Sequence, residues 1–565
     1  MQLRKPEIHI FHKVGTFADE IFLCSTAQTL YMEFGDMLLK FKPLWGTKAI
    51  SDLRKLYERR KETGSDKRLY NILLAKYIDQ FGQLPEEDNK VLLEPPSAEQ
   101  ASGDYPVGHV QYGNRFLSAF GLREHEFIRN AIIVGTPGSG KTNTASLLAW
   151  HFLKKKKPFM VFDWKRSWRD LAATKEGKDV IVFTVGRQDI SPFYFNPLIP
   201  PPGRKPTEWL RALISVMGHA YFLGQGCFDI LRRAIDISYR DYGVYERKVD
   251  TWPTFQTVLE NMYTLKISRK SADWLTSTQR AVEWLNFPDF CYTINVPKYA
   301  PIEKLFEHSV ILELDSMMDA DKIFFVETLL MWYFYYRLSQ KKEREKFWHA
   351  TIVEEAHHMF LKHKQEAQGE ETVTDRMIRM FREHNESLIL VDQHPSLISV
   401  PALGDTYCTI AHNLKHEYDV VAASAAMLMP RGQRKYLGKL EVGQAIVKLQ
   451  GRYMNPFLIS VPPVNVPKGA VDDETLASLM QARCERLKPF PKIQKDEEST
   501  ETPSNDQKTP LEVKSAKRQE KEQETRIMLP GEVLVIITDS EKEMLLDVNR
   551  NFAVGFRDRY VGLRW

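Results

Sequence analysis

The segment Gly135-Thr136-Pro137-Gly138-Ser139-Gly140-Lys141-Thr142 decides the fold of this chain, because it fits the phosphate-loop pattern G-x-x-x-x-G-K-[S/T]. An apolar run, 131–134, precedes it and a helical stretch, 143–153, follows it, which is the strand–loop–helix setting that the pattern requires. Glycines let the backbone curl around phosphate oxygens, and the free N–H groups at a helix start attract negative charge. The sequence therefore predicts a nucleoside triphosphate site.

We expect this loop to hold ATP together with Mg²⁺. Lys141 would neutralise the β- and γ-phosphates, and the Thr142 hydroxyl would ligate the metal ion. A chance glycine-rich turn is the alternative interpretation, but the flanking strand and helix argue against it. The predicted nucleotide-binding residues are Gly135, Thr136, Pro137, Gly138, Ser139, Gly140, Lys141, Thr142 and Asn143.

The composition of the 565 residues is that of an ordinary globular protein, with 43% hydrophobic and 27% charged residues. Because the formal net charge is only +4, any contact with DNA would have to come from locally placed basic loops. The most apolar window, 323–338, contains Glu327 and is too short to cross a bilayer. With no secretion signal evident at the N-terminus, we expect a cytoplasmic protein without a membrane partner.

The five cysteines are scattered, without a C-x-x-C pair or zinc spacing, which is typical of a reducing compartment. We interpret them as packing residues. They are Cys24, Cys227, Cys291, Cys408 and Cys484.

Strand-like apolar runs alternate with amphipathic helices from residue 130 to about 463, which predicts an α/β fold with a mainly parallel sheet. The runs after the phosphate loop are 159–162, 180–183, 309–312, 350–353 and 387–391. The helix-rich segment 206–296 interrupts this alternation, so we interpret it as an inserted subdomain. Residues 488–526 are rich in Lys, Glu, Gln, Ser, Thr and Pro, which is typical of a disordered linker.

These composition changes predict the domain organisation. In order, the expected parts are an N-terminal assembly and partner-docking domain at 1–125, an ATPase core at 126–205 and 297–465, the helical insertion at 206–296, a C-terminal brace at 466–487, the linker at 488–526 and a small C-terminal segment at 527–565.

Hydrolysis needs a carboxylate on the metal side and a base that orients water, and paired glutamates at the end of a predicted strand supply both. We expect Glu354 to hold Mg²⁺, together with Thr142, and Glu355 to activate the attacking water. Glu354 stands where Asp is usual, and the alternative is that both glutamates cap the following helix. Gln393, at the end of the next predicted strand, would sense the γ-phosphate or hold the water.

Two arginines on one predicted helix are candidates for a finger that reaches a neighbouring subunit, and such fingers accelerate hydrolysis strongly. Arg382 is the first choice and Arg379 the second, and surface salt bridges are the alternative role for each. The neighbouring His357 and His358 lack the H-E-x-x-H pattern. Adjacent histidines on a helix point about 100° apart, so a packing role is favoured over a shared metal ion.

Basic residues beside two predicted strand ends are candidates for loops that follow a DNA backbone, and a solvated basic surface is the alternative. They are Lys165, Arg166, Arg169, Lys362 and Lys364.

Taken in register, these motifs resemble the HerA–FtsK superfamily of ring-forming ATPases, and the HerA branch in particular. The segments that carry the resemblance are 134–142, 161–165, 195–198, 353–357, 391–396 and 440–447. The resemblance implies a RecA-like P-loop ATPase core with a helical insertion, an N-terminal α+β domain and a short C-terminal extension. It also implies a homo-hexamer that threads double-stranded DNA through a basic pore.

HerA proteins commonly work with a partner nuclease, NurA, and some bacterial relatives act with sirtuin-like or other nuclease effectors in antiphage defence. The small β-barrel that usually opens the family is not evident in residues 1–125, which leaves room for a different effector. The C-terminal stretch resembles the first part of a winged helix and stops at Trp565, so a complete DNA-reading wing is not expected.

Three functions follow from these patterns. The leading one is an ATP-dependent DNA translocase or helicase that works with an effector. The second is an ATPase that energises conjugation or secretion machinery, as in TraG-like relatives. The third is a scaffold ring in which nucleotide binding stabilises assembly with an effector, and the unusual Glu354 keeps it open.

Overall fold

The computed structural model describes residues 32–340, 347–362 and 385–487, apart from 65, 86 and 88, together with residues 378 and 381 and the segments 525–529 and 533–537. The chain divides into two units, Met1–Ile493 and Gln494–Trp565. Apart from residues 525 and 526, the predicted linker lies outside the described residues, as does most of the predicted C-terminal segment. In the second unit, β12 (Thr525–Leu529) and β13 (Val533–Ile537) form an antiparallel pair.

The first unit is built on one sheet of eleven strands, in the order β2-β1-β11-β10-β9-β3-β8-β7-β4-β6-β5. The parallel strands, in their order in the sheet, are β9, β3, β8, β7, β4, β6 and β5. The remaining strands, β10, β11, β1 and β2, pair antiparallel. The strands are β1 Tyr105–Tyr112, β2 Arg115–Leu122, β3 Ala131–Val134, β4 Phe159–Asp163, β5 Ile181–Thr184, β6 Val310–Glu313, β7 His349–Glu354, β8 Glu386–Asp392, β9 Cys408–Ala411, β10 Gln444–Leu449 and β11 Phe457–Ser460.

The predicted α/β fold is confirmed. Every residue of the parallel strands β3, β4, β5, β6, β7, β8 and β9 is buried. Parallel strands covered by helices on both faces bury every side chain, so they appear in the sequence as continuous apolar runs. This explains why each predicted run coincides with a strand to within one or two residues.

The helices cover the sheet and form two additional clusters. Their bounds are α1 Phe34–Lys40, α2 Lys42–Glu62, α3 Asp66–Phe81, α4 Ala98–Ala101, α5 Lys141–Lys154, α6 Pro206–Ala220, α7 Gln225–Asp241, α8 Phe255–Thr264, α9 Ala272–Leu285, α10 Phe290–Ile294, α11 Asp319–Ser339, α12 Val400–Gly404, α13 Glu417–Ala426 and α14 Asp473–Leu487. Among the described residues, no helix is long and apolar enough to cross a membrane.

The helices α6 to α10 occupy the predicted insertion, and Asn196 closes its base. The Asn196 amide donates to the carbonyl oxygens of Pro253 and Val296, both at 2.9 Å, and its Oδ1 accepts from the N–H of Leu198 at 2.9 Å. Because Asn196 precedes the first insertion helix and Val296 follows the last, one side chain holds the entry and the exit of the insertion together.

The N-terminal helices α1, α2 and α3 pack around a small core of their own. Its buried members are Phe34, Met37, Leu38, Phe41, Ile50, Leu73, Tyr77, Phe81 and, from β1, Tyr112. Strands β1 and β2 extend the central sheet, since His109 lies opposite Ser460 of β11. The boundary predicted at residue 125 therefore assigns β1 and β2 to the N-terminal domain, although both strands belong to the central sheet. Because β1 and β11 are far apart in the sequence, their pairing leaves no local sequence pattern.

Helix α14 lies within the predicted C-terminal brace and packs against β5. The guanidinium of Arg483 donates to the carbonyl oxygens of Ala172, Gly177 and Val180. The described cysteines are free: Cys227 and Cys408 are buried, and Cys291 and Cys484 are half-buried. Cys24 lies outside the described residues.

Candidate nucleotide-hydrolysis site

The phosphate loop joins β3 to α5 and takes a shape that its glycines permit. Gly140 has φ +116°, a left-handed conformation that other residues rarely adopt. A Cβ on Gly135 would lie 2.6 Å from Ser139 Oγ and 2.7 Å from His412 Cβ. The loop is also anchored to its neighbours, since the N–H of Thr136 donates to the Asn413 carbonyl at 2.8 Å.

Lys141 lies at the start of α5 with its ammonium inside the loop. Its Nζ donates to the Thr136 carbonyl at 3.0 Å, and its side chain is buried. Burial lowers the pKa of Lys141 to about 8. The negative charge of a phosphate group beside Nζ would raise this pKa again. The position of the ammonium inside the loop therefore suits the binding of an anion.

A cleft of about 580 Å³ opens over the loop and brings the predicted residues together. From the predicted set, its lining includes Pro137, Gly138, Gly140, Lys141, Thr142, Asn143, Glu354, Glu355 and Gln393. Gly135, Thr136 and Ser139 shape the loop from behind. The Asn143 amide positions the segment after β11, because it donates to the Pro462 carbonyl and accepts from the N–H of Val464.

Glu354 ends β7 beside Asp163, which ends the neighbouring strand β4. Burial, together with the charge of Asp163, raises the pKa of Glu354 to about 8. Burial also raises the pKa of Asp163. Burial and the closeness of the two carboxyl groups therefore both favour a proton on this pair. Among the described residues, no donor reaches Glu354 Oε2, so this buried oxygen fits the hydrated shell of a cation such as Mg²⁺.

Glu355 follows in a left-handed conformation, φ +48° and ψ +46°, which turns its carboxylate into the cleft. The Oε1 atom accepts a hydrogen bond from Gln393 Nε2 and forms an ion pair with Lys165 Nζ. The structure thus places two of the predicted catalytic residues in direct contact beside the loop. Lys165, predicted as a DNA contact, joins them.

Asp392 ends β8 and organises the turn after Glu355. Its Oδ2 accepts from the backbone N–H of His357 at 2.7 Å and lies 2.9 Å from His357 Nδ1. Burial alone would lower the pKa of His357, but the hydrogen bond and charge of Asp392 outweigh it and raise that pKa. One ligand atom from each of Glu355, His357 and Asp392 falls within a 4.8 Å cluster, a spacing that could hold a metal ion.

His358 has the packing role that we expected, since its ring stacks on Trp164 at 5.9 Å. The expected angle between the two histidines assumed an α-helix. They lie instead on a short 3₁₀ turn, Ala356–His358, and their ring centroids are 4.1 Å apart.

Sequence reasoning missed Asp163 and His412. His412 follows β9, where its Nδ1 donates to the Gln444 carbonyl at 2.9 Å and its Nε2 accepts from the Thr144 hydroxyl at 2.8 Å. Burial lowers the pKa of His412 to about 4, so the ring is neutral and supports the loop from below. The available signal was the short strand-like run 408–411, which a polar residue follows directly.

The structure contradicts part of the predicted DNA-contacting set. Arg169 is buried and forms a two-bond ion pair with Glu313, at 2.7 and 2.6 Å. Arg166 pairs with Asp473 of α14. These guanidinium groups are neutralised by carboxylates from distant strands and helices, which a local sequence pattern does not reveal. Lys364, Arg379 and Arg382 lie outside the described residues.

Comparison with known proteins agrees with this arrangement. Residues 125–396 match the family described as "Helicase HerA, central domain". The fold is similar to that of VirB4 from Thermoanaerobacter pseudethanolicus, with a TM-score of 0.50 and 14% identity over 64% of this chain and 98% of that chain.

The bacterial conjugative coupling protein TrwBdeltaN70 in complex with sulphate gives a TM-score of 0.49 at 12% identity, over 69% of this chain and 98% of that chain. No curated protein sequence matches the chain. Residues 125–396 thus form a HerA-type, ATP-hydrolysing P-loop ATPase domain that carries the phosphate loop and the paired glutamates on one sheet.

Proposed function

We propose that the chain is a ring-forming, ATP-dependent translocase or helicase that acts on double-stranded DNA. The observation that carries the proposal is the meeting of Glu355 and Gln393 beside the phosphate loop, within a HerA central domain. A base and an amide at adjoining strand ends can orient water toward a γ-phosphate held by the loop.

Each residue of the cleft has a distinct part in this proposal. Lys141 and the loop N–H groups bind the phosphates of ATP. Glu355 accepts the proton of the attacking water, and Gln393 positions that water. Thr142 and Glu354 would hold Mg²⁺, which when bound neutralises charge on the phosphates. The proton shared by Glu354 and Asp163 would leave when a cation arrives, because a metal-bound carboxylate is ionised.

A homo-hexamer would complete the site from the next subunit, with Arg382 as the first choice for the finger and Arg379 as the second. The test mixes Arg382→Ala subunits with Glu355→Gln subunits, each inactive alone. Some mixed interfaces would combine an intact base with an intact arginine, so partial hydrolysis should return. No return at any ratio would assign Arg382 a local role, and the same mixture with Arg379→Ala is the matched comparison.

DNA should act through its phosphates and without sequence preference, because a motor that follows the backbone reads charge and shape. With Arg169 buried in its ion pair with Glu313, the remaining described candidates for this contact are Lys165, Arg166 and Lys362. The test measures ATP hydrolysis with unrelated duplexes over a range of salt concentrations. We expect equal stimulation by all duplexes and a decline as salt rises, whereas hydrolysis indifferent to DNA would overturn the proposal.

The N-terminal helices are proposed to dock an effector, such as a NurA-like nuclease, another nuclease or a sirtuin-like protein, in DNA processing or antiphage defence. They leave apolar side chains exposed, including Leu39 and Ile72, each 53% exposed. Because β1 and β2 belong to the sheet, deleting residues 1–125 would damage the core. The sharper test is the double change Leu39→Glu and Ile72→Glu, which should keep ATP hydrolysis and abolish co-purification of an effector with the protein.

The second candidate function is an ATPase that energises conjugation or secretion, which the ATPase fold shared with VirB4 allows. Hydrolysis stimulated by a protein substrate and not by duplex DNA would support this alternative. Slow hydrolysis that neither substrate changes would instead favour a scaffold ring.

A further inference from the structure

Glu355, to which we assign the role of base, is held by Lys165 on the loop after β4, by Gln393, and by His357, whose Nδ1 lies 3.7 Å from Glu355 Oε2. The Lys165 ammonium pairs with Glu355 Oε1, the same oxygen that accepts from Gln393. A carboxylate oxygen that contacts two donors is restrained in the direction in which it points. In this arrangement the Glu355 carboxylate is held toward Lys165 and is not free to turn toward an attacking water molecule.

We propose that Lys165 holds Glu355 in an inactive orientation, a role that we call a latch, and that a phosphate of the DNA backbone releases Glu355 by binding the lysine. This inference rests on the proposed function, because it assigns DNA as the partner that regulates the same site. Lys165 is a positioning residue here, because it acts through the orientation of Glu355.

The structure allows the Lys165 side chain to move while its loop stays in place. Asp163 accepts the backbone N–H groups of Lys165 and Trp168, both at 3.0 Å. Farther along the loop, Arg169 is fixed to Glu313 and Asp473. The backbone is therefore anchored on both sides of Lys165, and release requires only rotation of a flexible four-carbon side chain.

Exposure makes the latch weak enough to be displaced. The Lys165 side chain is 58% exposed, whereas that of Glu355 is 11% exposed. An ion pair with one partner in solvent contributes little, so a phosphate can compete for the ammonium. Duplex DNA offers phosphates at high density, and an ammonium is a compact donor that binds them well.

The test compares Lys165→Met with Lys175→Met, a matched change of an exposed lysine on the same segment. Without DNA, Lys165→Met should hydrolyse ATP about three to five times faster than the original protein, the factor that corresponds to one weak ion pair. Added duplex should then give almost no further stimulation. The KM for ATP and the affinity for a non-hydrolysable ATP analogue should stay the same, Lys175→Met should behave like the original protein, and Lys165→Arg should restore the low basal rate.

An unchanged or slower basal rate of ATP hydrolysis in Lys165→Met would overturn the latch. A slower rate is the result expected if Lys165 instead bound the γ-phosphate directly, because its removal would then weaken hydrolysis. The latch would also be overturned if Lys165→Met keeps the full ratio of stimulation by DNA. Failure of the proposed function can be distinguished from failure of the latch. If the proposed function is wrong, duplex DNA would not stimulate ATP hydrolysis by the original protein itself. That result would remove DNA as the releasing partner and overturn this inference with it.

Discussion

Replacing Glu354 by glutamine should raise the free energy of unfolding of the nucleotide-free protein. The same change should remove the carboxylate that we propose as a Mg²⁺ ligand. Glu354 is buried against Asp163, and its pKa is raised from 4.5 to about 8. The folded protein must therefore keep a proton on this pair that the unfolded chain releases at neutral pH. Glutamine has the same shape and needs no proton, so the substitution removes this cost.

The size of the effect follows from the two pKa values. A raised carboxyl pKa makes the folded state bind more protons than the unfolded state, so stability falls as pH rises from 4.5 and levels off above about 8. Each pKa unit corresponds to about 1.4 kcal/mol, which gives a cost of about 1 kcal/mol at pH 5.5 and at most about 3 kcal/mol at pH 7. The gain from Glu354→Gln should grow with pH in the same way.

The assay is thermal unfolding in a metal chelator at several pH values, with Glu355→Gln as the matched control. Glu355 is a glutamate on the same turn whose partners, Lys165 and Gln393, are polar groups of the cleft. Its replacement should change the melting temperature little. The change should not grow with pH as the gain from Glu354→Gln does. A Glu354→Gln protein that melts below the original at pH 7, or whose gain is independent of pH, would refute the reasoning.

Three further outcomes are expected. Lys141→Ala should abolish tight ATP binding, whereas Glu355→Gln should bind ATP and not hydrolyse it; equal loss of affinity in equilibrium binding would contradict these separate roles. Because burial lowers the pKa of Lys141 to about 8, ATP affinity should be level below that pH and fall about tenfold per unit above it, and an affinity that stays level above about pH 8 would contradict this. Asp473→Asn should lower the free energy of unfolding by about 1 kcal/mol, since Asp473 pairs with three arginines at a half-exposed position; chemical denaturation with no change would contradict it.

The parts of the fold that the sequence predicts are those encoded locally. The phosphate loop and the paired glutamates are short motifs, and a strand buried on both faces is a continuous apolar run, so each can be recognised without its neighbours. Asp163 illustrates what local patterns omit. Its strand end resembles the other strand ends, and only the order of strands, with β4 beside β7, brings it to Glu354.

Arg169 and His412 show the same limit. Arg169 reads as one basic residue in a basic loop, but its partner Glu313 is 144 residues away. His412 depends on α5 on one side and β10 on the other, which meet only in the folded sheet. The roles proposed for the arginines of 379–382 stay predictions.

The pairing of β1 with β11 has a consequence for synthesis of the protein on the ribosome. His109 emerges long before Ser460, its partner in the sheet, is translated. At about 5–20 residues per second, the β1–β2 hairpin waits on the order of 20 to 70 seconds with one edge open. An open strand edge is a site for pairing with other chains, so the nascent protein should need a chaperone until residue 460 has left the exit tunnel. Nascent chains halted before and after that point should differ sharply in protease resistance at β1.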